Sequence, residues 1–152
     1  MLRLSKKTDY ALLALRHLAL AGSTGQTVPA RELSETYDLP PELLAKVLQR
    51  LVRGGLLVSQ QGIRGGYELA KPADQITVAD VVTVVDGATT ITACTDDGHD
   101  CDQFSKCAIR DPLWKLKDRI LSALEATTVA ELATPVPSPA PAPDVFPVTL
   151  HR

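Results

Sequence analysis

One change of rhythm between residues 40 and 70 constrains the fold more than any other feature of the chain. Leu44, Val47, Leu48 and Leu51 repeat at helical spacing behind Pro40 and Pro41, whose missing amides cost little at a helix start. Gly54 and Gly55 end that run. LLVSQ then reads as a strand, GIRGG as a glycine-rich turn, and YELA as the returning strand.

The upstream sequence supplies the partners of this unit. Ser5 can cap a first helix in which Tyr10, Leu12, Leu13, Leu15, Leu18, Ala19 and Leu20 form an apolar surface wide enough to be covered on more than one side. That helix stops at Gly22. After GSTGQ, Thr27 and Pro29 stand near the start of a second helix carrying Ala30, Leu33 and Tyr37, and Asp38 and Leu39 connect it tightly to the third. Two short helices so joined suggest a helix-turn-helix, and the hairpin makes it a winged helix. The predicted fold class is mainly α: a winged helix-turn-helix with a small β-hairpin wing and a long C-terminal dimerisation helix.

Charge gives this unit a direction. Residues 1–75 carry 10 Lys or Arg against 7 Asp or Glu, whereas residues 76–133 carry 5 against 10, so a chain of formal charge -2 hides a basic front and an acidic back. Local potential, not net charge, meets phosphates. Opposite the buried stripe, the third helix offers Glu42, Lys46, Gln49, Arg50 and Arg53 to a major groove. There Lys46 and Arg50 suit phosphate or guanine, and Gln49 can make two hydrogen bonds to adenine. Arg64, between glycines at the wing tip, suits the negative potential of a narrow minor groove. Lys46, Arg50 and Arg53 would also serve as the solvated face of an amphipathic helix. Pattern, wing and charge together favour DNA.

In the back half, Ile76, Val78, Val81, Val82 and Val85 with Thr77 as a cap are consistent with a fourth helix closed by Asp86-Gly87, although the valines leave a strand open. From Pro112, Leu113, Trp114, Leu116, Ile120, Leu121 and Leu124 repeat through Ala126 with a period near 3.6. That stripe is long for the small remaining core. It is expected to pack on the same helix of a second subunit, giving a homodimer that presents two winged helices to a palindromic double-stranded operator.

All three cysteines lie in CTDDGHDCDQFSKC, as Cys94, Cys101 and Cys107. Four uses compete: a disulfide, a thiol switch, zinc held with His99, or an iron-sulfur cluster. Asp96, Asp97, Asp100 and Asp102 crowd the thiols and disfavour isolated thiolates, whereas a bound metal reverses that argument. Zinc usually comes with C-x2-C knuckles, absent from this spacing. His99, Asp100 and Asp111 are nearby candidates for a fourth ligand.

The remaining features exclude more than they assign. Residues 134–152 hold six of the eleven prolines and read as a disordered tail. No apolar run approaches the roughly 20 residues of a membrane span, and the amino terminus has no signal-peptide pattern, so a cytoplasmic protein without membrane contact is expected. His17, His99 and His151 stand in unrelated contexts, and no phosphate loop or paired-carboxylate pocket can be argued, so neither an enzyme nor a small-molecule substrate is expected. The expected organisation is a DNA-binding head over 1–75, a cysteine loop and dimerisation helix over 76–133, and the tail. A small iron-sulfur electron carrier or a zinc-binding structural protein is the reading from another class, but neither needs a wing.

Four blocks, LRLSKKTDYALLAL, GIRGGYELAKP, ITVADVV and CTDDGHDCDQFSKCAIRDPLW, together resemble bacterial iron-sulfur regulators of the IscR, SufR and NsrR type, over about residues 2–133. The resemblance implies a dimeric winged-helix transcription factor whose Cys94, Cys101 and Cys107 hold a 2Fe-2S or 4Fe-4S cluster. IscR-like members place a histidine ligand where this chain has Arg110, which cannot serve as an ordinary ligand. The KTDYA segment instead resembles NsrR-type members, which implies Asp9 of the partner subunit as fourth ligand. The implied function is a repressor of iron-sulfur assembly genes relieved by cluster loss; a nitric oxide-sensing 4Fe-4S repressor is the alternative.

Overall fold

The computed structural model describes residues 4–22, 26–88 and 102–135. Its centre is α1 (Lys6–Gly22), whose Ala11, Ala14, Leu15 and Leu18 are buried. Ser5 caps it, accepting the Thr8 amide on its hydroxyl at 3.2 Å. Around α1 pack α2 (Ala30–Tyr37), α3 (Pro41–Arg53), α4 (Val78–Asp86), α6 (Val129–Ala133) and the second strand of a hairpin, β1 (Leu57–Gln60) with β2 (Gly66–Leu69). The remaining α-helix among the described residues, α5 (Arg110–Ala126), reaches out from α4. The fold is therefore mainly helical with a two-stranded antiparallel wing, as the sequence predicts.

Local chemistry sets the two turns that orient α3. Asp38 takes a left-handed conformation (φ 50°), which aspartate tolerates better than most residues. The Leu39 amide then reaches the Ser34 carbonyl at 3.0 Å, and the Ser34 hydroxyl donates to the Leu39 carbonyl at 2.7 Å. At the other end Gly55 (φ 73°) lets the Leu56 amide return to Leu51 O at 2.9 Å and the Gly55 amide to Val52 O at 3.0 Å. The chain reverses at once, so β1 starts within four residues of the helix end. The hairpin register pairs Leu57 with Leu69, Val58 with Glu68, Ser59 with Tyr67 and Gln60 with Gly66.

The ambiguity of the valine-rich segment is resolved by its cap. The Asp80 amide donates to Thr77 Oγ1 at 3.1 Å and the Thr77 amide to Asp80 Oδ2 at 3.0 Å, a reciprocal box that commits the segment to a helix despite its β-branched residues. Val78, Val81, Val82 and Val85 are buried. α5 begins at Arg110, two residues before the predicted Pro112, because proline's missing amide is still harmless in a first turn.

One element escaped the sequence reading. After α5, the Thr127 carbonyl accepts the Val78 amide and the Ile76 carbonyl accepts the Val129 amide, each at 2.9 Å. α6 then lies against α1, where Arg16 Nε donates to Leu132 O at 2.9 Å. Val129 is buried, and with Ile76, Val81 and Val85 it joins the apolar core of the front half. The acidic stretch thus contributes two helices to the core of the basic one.

Candidate nucleic-acid interface

α3 is divided cleanly. Leu44, Val47, Leu48 and Leu51 are buried, while Glu42, Lys46, Gln49, Arg50 and Arg53 are exposed. The exposed side therefore carries three cations and one acid, with Gln49 among them. Arg50 has a second engagement: its Nη1 donates to the Val85 carbonyl at the end of α4. That contact uses one of the five donors of the guanidinium.

The wing is built on a braced turn. Gly62 has a φ of 118°, and its carbonyl accepts the Gly65 amide at 2.9 Å. Arg64 is exposed at the tip, and its own carbonyl accepts the Thr27 hydroxyl at 2.8 Å. Val28 and Tyr67 exchange two backbone hydrogen bonds of 3.0 and 2.9 Å, so the segment before α2 pairs with the root of β2.

The end of α4 joins three parts of the molecule. Asp86 Oδ1 accepts the Ser5 hydroxyl and Oδ2 the Thr8 hydroxyl, both at 2.7 Å. Burial alone would raise the Asp86 carboxyl's pKa, but the hydrogen bonds from Thr8 and Ser5, helped by the charge of Lys7, leave it below the ordinary value. Val85, one residue earlier, holds Arg50. The chain then passes Gly87 and Ala88 toward the cysteine segment.

Of the predicted ligands, Cys107 is a free, half-buried thiol between a 3-10 turn (Phe104–Lys106) and α5. Asp9 is exposed in the first turn of α1, one residue beyond buried Thr8. Cys94 and Cys101, with His99, Asp96, Asp97 and Asp100, lie outside the described residues, as does the tail from 136 onward. Asp102 and Asp111 are exposed, and Arg110 pairs with Asp111 at 2.9 Å. Sequence reasoning did not find the Asp86 latch, the Arg50–Val85 contact or the Thr27 brace. All three join residues at least 35 positions apart and leave no local pattern.

Residues 4–135 match the family described as Rrf2, iron-dependent transcriptional regulator. The HTH-type transcriptional regulator IscR of Cronobacter sakazakii is 36% identical over 132 residues, covering 86% of this chain and 80% of that protein. Among solved structures, CymR, the global cysteine regulator of B. subtilis, superposes with a TM-score of 0.71 at 26% identity, over 88% of this chain and 97% of that one. T. potens IscR superposes with a TM-score of 0.67 at 25% identity, over 86% of this chain and 85% of that one.

Proposed function

The chain belongs to the Rrf2 family of transcriptional regulators, which are DNA-binding proteins rather than enzymes, and on that premise we propose that it is a dimeric repressor governed by an iron-sulfur cluster. Its targets on this reading are promoters of iron-sulfur assembly genes. Glu42, Lys46, Gln49 and Arg50 read the major groove and Arg64 the minor groove. The observation that carries the reading is the junction at the end of α4. There a single short segment, eight residues before Cys94 in sequence, holds the first turn of α1 through Asp86 and the reading helix through Val85.

The donor chemistry fits the group. Cys94, Cys101 and Cys107 offer three thiols, and Asp9 of the partner subunit offers a carboxylate from the turn that Asp86 anchors. When bound, the cluster supplies positive charge that stabilises thiolates among neighbouring aspartates, and its loss under iron limitation or oxidation is the signal. The protein's own residues transmit it. Asp9 follows Thr8, so a pull on Asp9 loads the Thr8–Asp86 hydrogen bond, and a shift of Asp86 moves the carbonyl that holds Arg50. Two heads so tied can match two half-sites, and heads released from the tie lose that match. No side chain of α5 is buried within one chain, which supports its apolar stripe as the contact between subunits.

Anaerobic purification, with iron, sulfide and zinc analysis and an absorption spectrum, tests the cluster. Holo-protein is expected to be coloured and to bind its operator more tightly than verified apo-protein. Colourless protein with stoichiometric zinc, even after anaerobic reconstitution with iron and sulfide, would overturn the reading, as would equal operator affinity of the two forms. Titration of the holo-protein with nitric oxide separates that signal from iron supply.

A further inference from the structure

Among the described residues, the large exposed apolar side chains are not alike. Ile109, Trp114, Leu116, Leu20, Val58 and Leu4 are 37–61% exposed, so each keeps part of its surface covered, whereas Ile63 at the wing tip is fully exposed. It stands alone there. Its neighbours Gln61, Gly62, Arg64 and Gly65 offer no second apolar side chain, so the tip is not the edge of a protein-binding patch.

The mount under Ile63 is stiff. The Gly65 amide closes the turn on the Gly62 carbonyl, and a Cβ on Gly65 would meet that carbonyl oxygen at 2.9 Å and the Gln60 oxygen at 2.8 Å. A Cβ on Gly66 would lie 2.7 Å from the Val28 carbonyl, so β2 runs directly against the segment before α2. Thr27 ties the Arg64 carbonyl to that same segment. A β-branched side chain on such a turn has few rotamers to lose on contact.

From this geometry we infer that Ile63 is a wedge residue that enters the operator's minor groove beside Arg64, and that Thr27 is the positioning residue that sets its angle. The inference rests on the reading of the wing as a DNA contact and adds what the apolar residue does there. The minor groove is about 6 Å wide, enough for one isoleucine and one arginine but not for a helix. Arg64 meets its negative potential, while Ile63 contacts the sugar walls and pries at a base step. Steps that unstack easily, TA and CA/TG, are then favoured under the wing.

The test uses duplexes of about 30 bp, long enough for two half-sites, selected by the wild-type protein from a randomised pool. Affinity is measured against salt, and bending by energy transfer between duplex ends, for wild type, Ile63→Ser, Ile63→Leu, Arg64→Ala and Thr27→Val. Ile63→Ser is expected to weaken binding about tenfold and reduce the bend with no change in salt slope, because no phosphate charge is involved. Ile63→Leu should recover part of the loss, Arg64→Ala should lower the slope by about one, and Thr27→Val should weaken binding and reduce the bend. Ile63→Ser binding within about twofold of wild type, with an unchanged bend, would overturn the wedge. Arg64→Ala with the affinity and salt slope of wild type would instead overturn DNA contact by the wing.

Discussion

Thr8 and Asp86, 78 positions apart in sequence, are joined by a hydrogen bond of 2.7 Å that latches the start of α1 to the end of α4. Thr8 is fully buried, so its hydroxyl depends on this partner. Asp86→Ala leaves that hydroxyl unsatisfied and should cost about 1–3 kcal/mol in urea denaturation. Thr8→Val removes the donor and should destabilise as well, but the double variant should lose less than the two single losses added together. Strict additivity would mean that the two residues stabilise the fold separately.

The latch also predicts an acid response. A carboxyl whose pKa lies below its ordinary value in the folded state binds protons less readily there than in the unfolded chain. Its contribution is complete above the unfolded value, about 3.9, and is lost as pH falls through the folded value. Asp86→Asn should therefore be less stable than wild type near neutrality and lose that disadvantage in acid. A stability gap that stays constant down to about pH 3 would rule out the carboxylate as its source.

Adjacent glycines at the end of α3 should respond differently to the same substitution. A Cβ on Gly54 would lie 2.6 Å from both Val84 methyls, so Gly54→Ala forces α3 and α4 apart at a cost of about 1–3 kcal/mol. Gly55 has open space, and only its φ of 73° resists alanine, at about 1 kcal/mol. Adding Val84→Ala to Gly54→Ala should restore part of the melting temperature. A double variant no more stable than Gly54→Ala would mean the Val84 contact is not the cause.

On α5, Trp114 and Leu116 are 48% and 45% exposed although both belong to the apolar stripe. Burying the half of each side chain that is still exposed is worth about 1 kcal/mol, and a second copy of the helix would bury it. Leu116→Glu should shift sedimentation toward monomer and weaken operator binding while leaving the helical signal of the head largely intact. A variant that sediments as wild type does would place the subunit contact elsewhere.

Much of this architecture was legible because it repeats locally. The Leu44, Val47, Leu48 and Leu51 stripe, the Gly54-Gly55 stop and the glycine-rich wing each announce an element within a few residues, and all four stripe residues are buried. α6 was not legible, since five residues cannot establish a period and Val129 is buried by a chain return that no local pattern encodes. The same holds at the site. The exposed face of α3 follows from its buried one, whereas the Asp86 latch depends on how α1 and α4 meet.

That difference separates two cations one turn apart on α3. Lys46 is exposed, and among the described residues none pairs with its charge; Lys46→Ala should leave the melting temperature unchanged, weaken DNA binding and reduce the salt slope by about one. Arg50 faces outward as well, yet it donates to the Val85 carbonyl, so Arg50→Ala also removes a bond between α3 and α4. It should lower stability by about 1–3 kcal/mol in addition to any loss of DNA affinity. Arg50→Lys, which keeps the charge but not the planar fork, should retain phosphate attraction while failing to restore the melting temperature. The measurement is paired: a urea melt and a salt titration of operator binding on each variant. If Arg50→Ala melts as wild type does, the Val85 contact adds nothing to stability, and Arg50 belongs with Lys46 as a side chain kept for DNA alone.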